Sequence, residues 1–82
     1  MEQAVRTAKQ IGASLRRCRQ QLGISQGELG ARINKRQATV SALEAGEGGT
    51  LDTFLAVLAA LDLELVVRPR SKGTTAEMAD IF

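Results

Sequence analysis

Gln37 carries an amide that donates and accepts at once, and adenine presents the matching pair, N6 and N7, in the major groove of a duplex. Arg36 beside it offers a two-pronged guanidinium that fits guanine O6 and N7, or else a phosphate. Further along, Ser41 can hydrogen-bond to a base or a phosphate. Ala38 and Ala42 have no polar group, so they permit close approach and can touch a thymine methyl. Lys35 and Thr39 suit phosphate oxygens, as does Gln26 at a helix start, where backbone amides also favour phosphate. This would be chemistry of recognition, with base contacts at Arg36, Gln37, Ala38, Ser41 and Ala42 and phosphate contacts at Gln26, Lys35 and Thr39. The blander alternatives are solvated turn charge for Lys35 and Arg36, and an internally satisfied amide for Gln37.

Other chemistries find little to work with. The 82 residues contain no histidine and one cysteine, Cys18. A zinc site needs about four nitrogen or sulfur ligands, and an internal disulfide needs two cysteines, so no metal, cofactor or staple is expected. The usual acids, bases and activated nucleophiles of catalysis are missing as well, and the expectation is a protein that is not an enzyme. Single-stranded nucleic acid is bound largely by stacking bases on aromatic rings, and only Phe54 and Phe82 could serve. Net charge is +2, unevenly spread: eight basic against four acidic residues through Thr50, then three against five. A basic front half is what phosphates require. Met1 to Gln10 lack the apolar core of a signal peptide, and no apolar run approaches the ~20 residues of a membrane span. A cytoplasmic protein with no membrane contact is expected.

The elements that must position the polar residues are short. Thr7 and Gln10 have the spacing of a capping box, and Ile11, Leu15, Cys18 and Leu22 form an apolar helical stripe that Gly23 stops. Cys18 reads as a core thiol, and Arg16 and Arg17 as solvated helix surface. Ser25 and Glu28 form a second capping box before Leu29 and Ile33, which predicts a helix over Gln26 to Ile33. Asn34 and Lys35 make the turn, asparagine being tolerant of the left-handed conformation. A third helix is predicted from about Arg36 to Ala45, with Val40 and Leu43 inward and Gly46 ending it. Gly30 falls where the second and third helices would cross. Thr50 can cap a fourth helix whose Leu51, Phe54, Leu55, Leu58 and Leu61 would cover the other three.

After Asp62 the period changes. Leu63, Leu65 and Val67 alternate with Glu64, Val66 and Arg68 until Pro69, which is strand patterning. A lone strand leaves its backbone groups unpaired, and a twofold copy is the simplest partner. A homodimer with a two-stranded antiparallel ribbon of Leu63, Leu65 and Val67 is therefore expected; packing on its own helices, or on another protein, is the alternative. The organisation is thus a polar segment leading into the first helix over 1–10, an all-α helix-turn-helix domain of four short helices over 11–61, a dimerisation strand over 62–69, and a flexible tail over 70–82. Met78, Ile81 and Phe82 end that tail, either without a task or as a docking peptide. Two recognition helices one DNA turn apart, roughly 34–36 Å, imply an inverted-repeat operator on double-stranded DNA.

The run from Ser25 to Glu44, with Ile11-Gly12, Leu15, Cys18 and Arg19 before it and Leu43-Glu44-Ala45-Gly46 at its end, closely resembles the Xre, or lambda-repressor-like, helix-turn-helix family. Asn34 departs from the glycine usual at that turn. The resemblance implies that Arg19 and Glu44 pair as a structural element beneath the DNA-binding surface. Thr50-Leu-Asp-Thr-Phe-Leu, the Leu58 to Leu65 run and the strand after it are similar to the HipB-type antitoxins. That narrower likeness implies a dimeric repressor of its own operon, paired with a HipA-like serine/threonine kinase toxin. A stand-alone Xre-family repressor is the other reading.

Overall fold

The computed structural model describes residues 3–70. Four helices follow one another: α1 (Ala8–Gln21), α2 (Gln26–Arg32), α3 (Gln37–Glu44) and α4 (Leu51–Ala60). Three of the four helix starts are set by side-chain caps. Thr7 Oγ1 accepts from the Gln10 amide at 3.0 Å, and Gln10 Oε1 reaches back past Thr7 to the Arg6 N–H at 2.7 Å. At α2 the box closes reciprocally, Glu28 N to Ser25 Oγ at 3.0 Å and Ser25 N to Glu28 Oε1 at 2.9 Å. Thr50 Oγ1 accepts from Thr53 N at 3.1 Å to start α4. Only α3 begins without a side-chain cap. Arg36 is its N-cap rather than its first residue, so the helix is a residue shorter at that end than the pattern predicts.

Left-handed residues turn the chain between helices. Asn34 takes φ 58°, and the Lys35 amide returns to the Gly30 carbonyl at 2.8 Å, closing the α2–α3 turn. Asp62 does the same after α4 with φ 59°, allowing Leu63 N to bond Leu58 O at 2.8 Å. Both are residues whose short polar side chains tolerate this region better than most.

The core is Leu15 from α1, Ile24, Leu29 from α2, Val40 and Leu43 from α3, and Val57, Leu58 and Leu61 from α4 and its end. Ile11, Cys18, Ile33, Phe54 and Leu63 pack around its margin. Three leucines expected inward are not. Leu22 is 53% exposed, Leu51 66% and Leu55 42%. Leu22 caps α1 just where the chain reverses at Gly23. In α4 apolar residues occupy nearly every position, so hydrophobicity marks no single face. The packed face runs through Thr53, Val57 and Leu58, with the Thr53 hydroxyl satisfied by Thr50.

Residues 63–70 carry no helix and no strand paired within the chain. Of the three expected ribbon residues, Leu63 rests partly on the core, whereas Leu65 and Val67 are exposed. The end of the expected tail, with Met78, Ile81 and Phe82, lies outside the described residues.

Helices this short cross closely enough to exclude a methyl group. A Cβ on Gly12 would lie 2.7 Å from both the Leu43 carbonyl oxygen and the Glu44 carbonyl carbon, at the α1–α3 contact. One on Gly30 would meet the Lys35 oxygen at 2.7 Å. By contrast, a Cβ on Gly27 would meet nothing nearer than 3.8 Å. Gly12→Ala should therefore lower unfolding stability by about 1–3 kcal/mol through overpacking against backbone. Gly27→Ala, inside α2, should raise it by up to about 1 kcal/mol. Urea midpoints at unchanged slope would read both changes, and a neutral Gly12→Ala would refute the close crossing.

Candidate nucleic-acid interface

The turn at Asn34 swings α3 so that Val40, Leu43 and Glu44 face inward while Gln37, Ala38 and Ser41 are exposed and Ala42 is half-buried. Gln37 and Ser41 are one turn apart, with the two alanines beside them, so a small-residue surface surrounds two hydrogen-bonding side chains. Arg36 is exposed at the N-terminal end of this surface. Next to it, Ala31, Asn34, Lys35, Arg36 and Thr39 line a shallow depression of about 460 Å³. It brings two cations and a hydroxyl to one place, a chemistry suited to a phosphate.

Beneath this surface lies a buried polar chain. Arg19 Nε donates to Glu44 Oε2 at 2.6 Å and its Nη2 to Glu44 Oε1 at 3.0 Å. Its Nη1 donates to the Ile24 carbonyl at 2.8 Å. Both residues are only 8% exposed. Gln26 Nε2 adds a further bond to Glu44 Oε1 at 3.0 Å, and Gln26 Oε1 accepts from Gln37 Nε2 at 3.4 Å. Gln26 thus stands half-buried between the ion pair and the exposed amide of Gln37, a linking position that its place in the sequence does not reveal. The Gln37 amide oxygen takes no hydrogen bond among the described residues.

The ionisations follow from this geometry. Burial pushes the Glu44 carboxyl upward, but hydrogen bonds from Arg19 and Gln26 and the charges of Arg19 and Arg16 together hold it below the ordinary glutamate value. The hydrogen bond to Glu44 raises Arg19 in spite of burial. Glu28 is lowered by its hydrogen bonds to the Ser25 backbone and side chain in the α2 box. Among the described residues no three of histidine, cysteine, aspartate or glutamate gather as a metal site would need. No described helix is long and apolar enough to cross a membrane.

A profile of the HTH_3 helix-turn-helix family matches residues 15–67, which include the whole α2–α3 unit and its support. The chain belongs to the Xre-like helix-turn-helix family. Solved structures with this helix-turn-helix fold are similar over most of the chain. A HipB variant in an O2 20mer complex is 30% identical with a TM-score of 0.80, covering 87% of this chain and 100% of that one. HipB in an O4 20mer complex is 31% identical with a TM-score of 0.79, covering 85% and 100%. A HipA–HipB–O2–O3 complex gives 31% identity and a TM-score of 0.78, again over 85% and 100%. No curated protein sequence gives a match. The chain carries a DNA-binding helix-turn-helix domain of this family, with α2 and α3 as the two helices of the motif.

Glu44 is the residue on which this helix-turn-helix surface is built. Glu44→Ala leaves a buried guanidinium unpaired and should cost about 3–5 kcal/mol, enough to unfold much of so small a domain. The acid limb supplies a second reading. A carboxyl held below its unfolded value contributes stability that is present above that value and is lost as pH falls through the folded one. The stability difference between the wild type and Glu44→Gln should therefore be constant near neutrality and shrink as pH drops below the ordinary glutamate range. Denaturant titrations at stepped pH would measure it, and a constant difference down to acid unfolding would contradict the paired carboxylate.

Proposed function

We propose that this chain is a sequence-specific repressor of double-stranded DNA, and that it is the antitoxin partner of a HipA-like serine/threonine kinase, regulating its own operon. The observation that carries the reading is the exposed α3 face, with Gln37 reaching out from a buried network in a domain similar to HipB solved in O2 and O4 20mer complexes. In this reading α3 enters the major groove by its N-terminal end. Gln37 pairs with adenine N6 and N7, Arg36 takes guanine or the phosphate beside it, and Ser41 completes the polar contacts. Ala38 and Ala42 let the groove floor approach. Lys35 and Thr39, in the depression at the turn, hold one phosphate. Gln26 meets another at the start of α2, keeping Gln37 in register from behind.

The assembly in this reading is a homodimer. Leu65, Val66 and Val67 are 55%, 62% and 91% exposed in succession, an apolar run left uncovered among the described residues. Pairing the segment 62–69 with its twofold copy would cover it and set two α3 helices one DNA turn apart, on an inverted-repeat site. The partnership with a kinase is supported by the similarity to HipB in a HipA–HipB complex. The tail beyond residue 70, with Met78, Ile81 and Phe82, is the docking peptide for such a partner in this reading.

Gln37→Ala should cost about 1–3 kcal/mol at one base position, while Lys35→Ala should weaken operator and scrambled duplexes alike. Operators selected from a random pool, followed by titration of single-base variants, would show the difference. Equal losses for Gln37→Ala on operator and scrambled DNA would refute base reading. The tagged chain, isolated from its native cell, should run as a dimer by gel filtration with light scattering and bring a stoichiometric kinase identifiable by mass spectrometry. A monomer at micromolar concentration would sink the ribbon, and recovery without a protein partner would leave a stand-alone repressor.

A further inference from the structure

A second polar groove lies on the outer face of α1, away from the turn. Lys9, Ala13, Arg16 and Gln20 recur at spacings of four, three and four, with Arg17 alongside, and the groove they line closes against Glu44 at the end of α3. Its volume is about 370 Å³. Lys9, Arg16 and Arg17 are exposed, and none of them makes an ion pair among the described residues. The one carboxylate in the wall, Glu44, is already held two-pronged by Arg19. The Arg16 charge also acts on that carboxylate, but its oxygens are given to Arg19 and Gln26, so the groove carries three exposed cations around one carboxylate and its balance is positive. Lys9 and Arg16 stand two turns apart with Arg17 alongside, a spread of positive charge that suits an extended anion.

The location says which anion. Glu44 is one hydrogen bond from Gln26, and Gln26 is one from Gln37. The groove thus shares Glu44 with the buried network that supports the reading face. Phosphates follow one another along a strand at about 3.4 Å of axial rise, so a backbone meeting α2 at Gln26 has further phosphates beside it.

We propose that the α1 groove of Lys9, Arg16, Arg17 and Gln20 is a phosphate-backbone clamp that extends the DNA contact beyond the helix-turn-helix, resting on the reading of this chain as a DNA-binding protein. Gln20 supplies a neutral hydrogen bond and Ala13 the room for a phosphate to enter between the cations. The contact carries no sequence information. It raises affinity and salt sensitivity equally on all duplexes.

The test uses the full chain and two probes: a duplex selected by the wild type from a random pool, and a scrambled duplex of equal length. Affinities are measured across a salt series for the wild type, for Lys9→Gln/Arg16→Gln and for the charge-keeping Lys9→Arg/Arg16→Lys. Each lost phosphate contact lowers the slope of log affinity against log salt by about 0.9. The neutral double variant, as a dimer, should thus lose a slope of roughly two to four, on both probes, read at a temperature where its circular dichroism matches that of the wild type. The charge-keeping variant should retain the wild-type slope. An unchanged slope in the neutral variant, or an equal loss in the charge-keeping one, overturns the clamp. A groove serving an acidic protein would show itself as lost partner capture with DNA binding intact, which also overturns it. If the wild type binds neither probe, the DNA-binding reading itself fails, an outcome distinct from a clamp that is merely absent.

Discussion

The structure turns on one buried ion pair. Taking a guanidinium and a carboxylate out of water costs several kcal/mol for each ion, and the cost is offset only when geometry and additional hydrogen bonds are good. Here they are. Arg19 binds Glu44 through two nitrogens and spends a third on the Ile24 carbonyl, while Glu44 takes a further bond from Gln26. Those four residues belong to α1, the loop after it, the first turn of α2 and the last turn of α3. A hydrophobic contact would have bound the same elements without fixing their rotation. The fork of the guanidinium fixes it, because a small rotation of α3 misaligns both bonds at once.

That rotation decides which side chains of α3 face outward. The exposed face of α3 is defined only relative to Glu44, whose side chain points into the core from the same short helix that carries Gln37 and Ser41 outward. Gln26 transmits the constraint directly to Gln37 through a single amide. The glycines complete the arrangement. Gly12 lets α1 lie against the carbonyls at the end of α3, and Gly30 lets α2 meet the turn at Lys35. With larger residues at either place the helices would stand apart, and Arg19 would no longer reach the carboxylate in the same register. Backbone contact and ion pair thus depend on one another.

Much of this was legible in the residues. The caps at Thr7, Ser25 and Thr50, the left-handed turn at Asn34 and the crossing at Gly30 are local consequences of side-chain chemistry, and local consequences survive folding. The inward leucines were legible where polar residues alternate with them inside a helix, as at Leu15 and Leu29, though not at Leu22 where α1 ends. They were not in α4, where alanine, valine and leucine surround the axis and only the partner helices decide that Val57 is covered and Leu55 is not. The left-handed bend at Asp62 was also hidden, since an aspartate in a leucine-rich run signals a helix end only weakly. In the site, residue types pointed to α3. The hydrogen bonds of Gln26 required coordinates, because a glutamine at a helix start can face a phosphate or the core equally well.

The charge pattern of α1 was written in the sequence but read as ordinary surface. Basic residues on an amphipathic helix usually are, since the core stripe leaves the rest of the circumference to water. The difference lies in what borders the stripe. On one side of α1, Gly12 and Arg19 are buried against α3, so the next positions round, Lys9, Arg16 and Gln20, form the lip of a groove and not a free convex surface. A cation on a convex surface is screened from all sides, whereas one on a groove lip has low-dielectric protein on one flank, which focuses its field outward. Glu44 in the groove wall feels the Arg16 charge but gives its oxygens to Arg19 and Gln26, so positive charge stays in excess there. The same interaction that orients α3 therefore occupies the carboxylate of the α1 groove, so the rotation of α3 and the positive balance of that groove arise from one arrangement of Arg19 and Glu44.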